Sequence, residues 1–131
     1  MGRFSIGVQL IVWGDRVLDD LPGVLDEVSS IGFDGVEMGP DPFKRFPNAS
    51  RMLTERDLRL AGIHIGVGSL EMEPAIEALD ILEKAGGKYL IFSGAGGRDN
   101  KPKNYLESCR FLGEVGKLAY DRGLKVLYHN H

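Results

Sequence analysis

The chain has 131 residues, of which 43% are hydrophobic and 27% are charged, and its formal net charge is -3. This composition is typical of one globular domain. The acidic balance argues against a nucleic-acid partner, and no apolar run reaches the roughly 18 residues that a membrane helix needs. The N-terminus has no signal-peptide layout, and the single cysteine, Cys109, has no partner for an internal disulfide. We therefore expect a cytoplasmic protein that neither crosses a membrane nor binds nucleic acid.

Apolar spacing divides the chain into short runs with a period of two and longer runs with a helical period. Most helical runs end in glycine, the usual left-handed cap, at Gly32, Gly62, Gly86 and Gly123. In chain order the predicted elements are a strand at 4–10, a helix at 21–31, a strand at 35–38, a long loop at 41–48, a short helix at 54–61, a strand at 63–65, a helix at 75–85, a strand at 89–92, a helix at 104–119 and a strand at 124–128.

This alternation predicts an α/β fold with five parallel strands and four intervening helices. Two architectures fit the order. One is a doubly wound, flavodoxin-like domain, for which the length is natural. The other is part of an eight-stranded TIM barrel, for which about 250 residues is typical. Periodicity alone does not separate them.

Both architectures place their ligand site at the carboxyl ends of the strands. Period-two geometry puts Gln9, Glu37, His64 and His129 on the strand faces opposite the apolar residues. In a barrel these four side chains would converge at the mouth. Each has a plainer interpretation, since Gln9 and His64 can be hydrogen-bonded structural residues and the terminal histidines can be a polar tail.

Imidazole and carboxylate groups together suit divalent metals such as zinc and manganese. A bound metal can polarise a carbonyl while a neighbouring Glu or His acts as general base. The glycine-rich run 93–98, which ends in Arg98, is either a phosphate cradle or a flexible loop. Trp13 and Phe43 follow strands and can wall a sugar face or pack in the core, and Cys109 is expected to be a small buried residue.

Several segments in the right order resemble the xylose isomerase-like TIM-barrel superfamily of sugar phosphate isomerases and epimerases. One branch of that superfamily carries a Tyr-His-Asn-His signature, which matches Tyr128 to His131 here. The segments that carry the resemblance are 6–10, 21–25, 31–37, 62–64, 89–94 and 123–131. The resemblance favours the partial TIM barrel over the doubly wound domain.

The resemblance also implies a function: metal-dependent proton transfer that isomerises, epimerises or dehydrates a sugar, keto-sugar or inositol. The implied metal is Mn, Zn, Co or Mg, bound in the full-length parent and not necessarily in this chain. Where many members place a metal-binding glutamate, this chain has His129. The implied roles are catalytic for Glu37 and His64, metal-binding for His129 and His131, and substrate-binding for Gln9, Trp13, Ser93 and Asn130.

We expect residues 1–131 to be a single domain, the N-terminal part of a truncated TIM barrel. Half of a barrel leaves two open sheet edges, so we expect a chain that is inactive alone and can self-associate through them. The alternatives are a non-catalytic flavodoxin-like domain, an apurinic endonuclease, which the charge disfavours, and a family member without catalysis.

Overall fold

The chain folds around one parallel sheet whose five strands lie in the order β1-β2-β3-β4-β5. A computed structural model describes residues 3–68 and 70–131. The strands are β1 (Gly7–Gln9), β2 (Gly35–Met38), β3 (Arg59–Gly66), β4 (Tyr89–Ser93) and β5 (Lys125–Tyr128). The spatial order never reverses, whereas a flavodoxin-like sheet has the order 2-1-3-4-5. The doubly wound alternative is therefore excluded.

The connections contain more helices than the four predicted. A 3-10 turn at Leu10–Trp13 precedes α1 and α2, and two short helices instead of one join β2 to β3. The helices are α1 (Arg16–Asp19), α2 (Leu21–Ile31), α3 (Asp41–Arg45), α4 (Ala49–Thr54), α5 (Met72–Ala85) and α6 (Pro102–Asp121). Within the described ranges, no helix is both long and apolar enough to span a membrane.

Between β2 and β3 the sequence-based boundaries were wrong. The predicted loop at 41–48 contains α3, and the predicted helix at 54–61 is the end of α4 followed by the start of β3. Asp57 turns the chain there with a φ of 55°, and Arg59 then pairs with Gly35 in the sheet. Gly62 consequently lies inside β3, whereas Gly32 and Gly86 cap α2 and α5 with positive φ as expected.

The core lies on one face of the sheet, between the strands and the helices. Val36, Ile63 and Leu90 have no exposed surface on this face. Glu37 and His64, the neighbours of Val36 and Ile63 in the chain, lie on the opposite face and stay partly exposed. Crossovers of one hand that always advance to the next strand keep all the helices on one side, as in a barrel wall.

Asp34 fixes the position of β1 beside β2. Its carboxylate accepts hydrogen bonds from the Ile6 amide at 2.8 Å and from the Arg3 guanidinium at 2.9 Å, and its own amide donates to the Ile6 carbonyl at 2.7 Å. The Ile6 amide, aided by Arg3, holds the pKa of Asp34 below its usual value. This clamp sets the register that pairs Gln9 with Glu37.

Glycines occupy the cleft-side face of the first three strands, at Gly7, Gly35 and Gly62. A Cβ on Gly35 would lie 2.6 Å from the carbonyl oxygen of Arg59 on β3. A Cβ on Gly62 would lie 2.7 Å from the carbonyl oxygen of Tyr89 and 2.8 Å from Cδ1 of Ile91 on β4. Side chains at Gly35 and Gly62 would collide with the backbone of the next strand, and a Cβ on Gly7 would lie 3.2 Å from the carbonyl oxygen of Gly35.

The Gly62→Ala substitution should therefore destabilise the chain by about 1–3 kcal/mol, because β3 and β4 must move apart. Urea unfolding followed by circular dichroism measures this change. Gly113→Ala is the matched control: it lies within α6, where a Cβ meets nothing within 4 Å. That control should gain about 0.5–1 kcal/mol from helix propensity. Equal stabilities for the two variants would contradict the close approach at Gly62.

Candidate functional site

An open cleft of about 610 Å³ lies at the carboxyl ends of the strands. It contains the four polar residues whose convergence the strand pattern predicted, together with Ser93 and His131. The residues that line it are Gln9, Ile11, Glu37, His64, Ile65, Gly66, Ser93, His129 and His131. Apart from Ile11, which lies in the 3-10 turn, these residues come from β1, β2, β3, β4 and the segment after β5, so the sheet sets their relative positions.

A chain of hydrogen bonds crosses the cleft through Glu37, His64 and Ser93. Nδ1 of His64 lies 2.9 Å from Oε1 of Glu37, and Nε2 lies 2.9 Å from Oγ of Ser93. The side chains of His64 and Glu37 are only 16% and 25% exposed. These three residues stand on adjacent strands, so the interaction links β2, β3 and β4 at the floor of the cleft.

The direction of these bonds follows from the partners. An ionised carboxylate only accepts hydrogen bonds, so Glu37 assigns the proton of the neutral imidazole to Nδ1. Nε2 of His64 is then an acceptor, and the hydroxyl of Ser93 donates to it. The lone pairs of the Ser93 oxygen remain as acceptors for a ligand.

Two further histidines lie beside this chain. The ring centroids of His64 and His129 are 5.4 Å apart, and those of His129 and His131 are 4.9 Å apart. Both His129 and His131 are exposed. Over residues 3–68 and 70–131, no three His, Cys, Asp or Glu side chains are grouped so that they can hold a metal ion. With both ring nitrogens of His64 already hydrogen-bonded, these donors do not make a complete metal site.

Gln9 has a local role as well as a place in the cleft. Its Oε1 accepts a hydrogen bond from the Ile11 amide at 2.7 Å and so caps the 3-10 turn that follows β1. Its side-chain amide nitrogen is the donor that it can offer to a ligand. The turn brings Ile11, which is 77% exposed, to the rim of the cleft.

Solved structures of sugar-converting enzymes share this fold. A sugar phosphate isomerase/epimerase from Parabacteroides distasonis ATCC 8503 matches with a TM-score of 0.79 and 18% identity, over 100% of this chain and 52% of that one. D-psicose 3-epimerase from Clostridium cellulolyticum H10, in complex with D-tagatose, matches with a TM-score of 0.72 and 14% identity, over 94% and 51%. The chain has the fold of about half of a TIM barrel.

A beta-arabinopyranosidase also matches, with a TM-score of 0.63 and 18% identity, over 98% of this chain and 23% of that one. No family model and no curated protein matches the chain. The chain spans about half the length of the two sugar isomerase and epimerase structures. The partial TIM-barrel architecture predicted from the sequence is thereby confirmed, and at these identities the likeness concerns the fold.

Three residues considered from the sequence lie outside the cleft lining. Trp13 donates from its indole nitrogen to Glu27 on α2 at 2.7 Å, and Phe43 packs, half-buried, against the core. The Arg16 guanidinium, together with this indole, holds the pKa of Glu27 below its usual value. Asn130 is exposed and lies between the two cleft histidines in the chain. The structure thus groups Gln9 and Ser93, but neither Trp13 nor Asn130, with the cleft.

The glycine-rich run after β4 is a loop that hydrogen bonds hold in place. The Ser108 hydroxyl donates to the Ala95 carbonyl at 2.8 Å, and the Asn104 amide donates to the Gly96 carbonyl at 2.7 Å. The Tyr128 hydroxyl accepts from the Ala95 amide at 3.2 Å. The loop is therefore held against α6 and β5 behind Ser93.

On the same helix Cys109 is exposed, so its expected burial was wrong.

Sequence reasoning missed the bond between Ser93 and His64 and the part of Ile11 and Ile65 in the wall. The pairing register of β3 and β4 is the signal that would have revealed the bond between Ser93 and His64. His64 pairs with Ile91, and Gly66 pairs with Ser93, so His64 and Ser93 occupy the same face one step apart on neighbouring strands. No comparable signal exists for Ile11, because it lies in an irregular turn.

Proposed function

We propose that the cleft binds a sugar or sugar derivative and takes part in proton transfer between carbon atoms, as in an isomerase or epimerase. The observation that carries the proposal is the Glu37–His64–Ser93 chain at the mouth of a half-barrel. The comparison with an epimerase bound to D-tagatose supports this class of ligand. We further propose that residues 1–131 act as a single domain and supply half of the complete site.

In this proposal Glu37 is the general base. A base must lie about 2.6–3.2 Å from the proton that it removes, and the cleft leaves Glu37 accessible from the mouth. His64 keeps the carboxylate oriented through Nδ1 and stabilises its charge. Ser93 and Gln9 orient the hydroxyl groups of the sugar, because one offers an acceptor oxygen and the other an amide donor. Trp13 and Asn130 lie outside the cleft lining, so they would meet only a sugar that extends beyond it.

A divalent ion, Mn, Zn, Co or Mg, belongs to the proposal only as part of a complete barrel. It would polarise the sugar carbonyl. His129 and His131 would supply two ligands, which is fewer than the three protein ligands that catalytic zinc sites have. The remaining ligands would have to come from outside the described residues. The proton-transfer roles of Glu37 and His64 are therefore assigned without the ion.

Sugar binding can be tested by a nuclear magnetic resonance titration with D-tagatose, using the imidazole signals of the three histidines as reporters. We expect the His64 signal to shift with saturation at millimolar sugar. Ser93→Ala removes one hydrogen bond and should weaken binding about 3- to 10-fold.

Ser29→Ala is the matched control, because the Ser29 hydroxyl bonds to the Arg56 carbonyl, away from the cleft. It should leave the affinity unchanged. Absence of any histidine shift with D-tagatose, or equal loss in both variants, would contradict sugar binding in the cleft. Repeating the titration with chelator and with added Mn²⁺ separates binding by the side chains from binding through an ion.

A further inference from the structure

The hydrogen bonds among Glu37, His64 and Ser93 join the same kinds of atoms as those of a nucleophilic serine triad. A serine triad joins the hydroxyl oxygen to Nε2 of the imidazole and a carboxylate to Nδ1, and it is recognised by geometry and not by sequence position. Here both distances are 2.9 Å. We propose that Ser93 is a nucleophile toward carboxylic esters.

The triad is held by the sheet. Glu37, His64 and Ser93 belong to β2, β3 and β4, and the Ser93 carbonyl accepts from the Val67 amide at 2.8 Å. Side chains on rigid strands keep a catalytic geometry better than side chains on loops. Ser93 ends its strand, and Gly94 turns the chain with a φ of 82°. The serine of α/β hydrolases also sits where a strand turns sharply away.

The hydroxyl is accessible from the cleft. Ser93 is partly exposed and lines the same open cleft as His64 and Glu37. The aliphatic side chains in the lining are those of Ile11 and Ile65, and the other lining residues carry a polar group or are glycine. An ester with a short acyl chain fits this lining better than a long-chain lipid ester, which needs a continuous apolar wall.

The reaction balances within the site. Oγ of Ser93 attacks the ester carbonyl while its proton moves to Nε2 of His64, and the C–O bond to the alcohol breaks. His64 returns the proton to the departing alcohol, and the acyl group remains on Ser93. Water, deprotonated by His64, then releases the carboxylic acid and restores the serine. Glu37 stabilises the imidazolium through Nδ1 in both halves.

The test is covalent labelling with a fluorophosphonate, which forms an O–P bond to an activated serine and releases fluoride with the serine proton. The chain is treated in chelator and without sugar, and intact mass and peptide mapping report the product. We expect one adduct on Ser93. His64→Gln should slow its formation about 100-fold, the usual range for a lost general base. Glu37→Gln should slow it about as much, because the carboxylate that stabilises the imidazolium is lost. A p-nitrophenyl acetate assay should show the same order of activities.

Ser29→Ala is the control and should label at the unaltered rate. Urea-unfolded chain should not label, which separates the folded triad from intrinsic serine reactivity. An unlabelled folded chain, or an adduct only on tyrosine or on His129, would overturn the proposal. Because the assay contains neither metal nor sugar, its failure leaves the proposed sugar chemistry untouched, and failure of D-tagatose binding leaves this labelling untouched.

Discussion

Replacing Phe92 by alanine is expected to destabilise the chain by about 3–5 kcal/mol, the usual cost of emptying a phenylalanine site in a core. Phe92 is 1% exposed and meets Phe111 of α6 edge to face, with ring centroids 6.0 Å apart. Its carbonyl accepts from the His129 amide at 2.7 Å, and Ser93 follows it directly. Loss of the ring therefore loosens the support beneath the cleft as well as the core.

Urea unfolding monitored by circular dichroism measures this effect. The Tyr120→Ala variant is the control, because Tyr120 is an aromatic residue of α6 that is 82% exposed. Its replacement should change the free energy of unfolding by less than about 0.5 kcal/mol. A loss below about 1 kcal/mol for Phe92→Ala would mean that the ring does not fill the core as the structure shows.

The second large effect concerns association. We expect the chain to form dimers or larger species at tens of micromolar, because both end strands have an open edge. The amides of Lys125 and His129 bond to β4, so those of Val126 and Tyr128 point outward from β5. The apolar side chains of Leu127 and Tyr128 are 44% and 43% exposed at this edge. A second copy of the chain offers complementary edge and apolar groups at β1, where Ile6 is 61% exposed.

Light scattering coupled to gel filtration measures the mass at several concentrations. Leu127→Lys should shift the chain toward its monomer mass of 14.4 kDa, because a charged side chain at an edge opposes pairing. Leu118→Lys adds the same charge to α6 at a leucine that is 39% exposed, and it should leave the mass unchanged. A monomer at every concentration for the unaltered chain would contradict the prediction.

The strands were predictable because each one alternates and is bounded by turns. Their order in the sheet did not follow from periodicity, because the alternation of strands and helices fits both the order 1-2-3-4-5 and the order 2-1-3-4-5. The end of α4 and the start of β3, around 54–61, were not predictable, because the turn there is made by Asp57, whose positive φ is more typical of glycine. Local apolar spacing could not distinguish the last turn of α4 from the first residues of β3. Pairing with Gly35 on the distant β2 decides that boundary.

The side of the sheet on which the site residues lie was predictable, but the hydrogen bonds between them were not. Alternation placed Glu37 and His64 on one side of the sheet, and the structure adds the 2.9 Å bond between them. The alternation of residues could not predict where the Trp13 side chain points, because its indole bonds to Glu27 of α2, 14 residues further along the chain. The hydrogen bond from the Asn104 side chain to the Gly96 carbonyl was also beyond the pattern, because it joins α6 to the loop after β4.

The glycines at Gly7, Gly35 and Gly62 also bear on the shape of the cleft. They lie on the cleft side of the sheet, where a Cβ on Gly35 or Gly62 would collide with the next strand and one on Gly7 would be tightly packed. Because these residues have no Cβ, each strand can lie close to the next one along this row. The strands β2, β3 and β4 are neighbours in this sheet, and at their spacing His64 contacts both Glu37 and Ser93 at 2.9 Å. Residues without a side chain thus help to set the spacing of the strands that carry the side chains of the cleft.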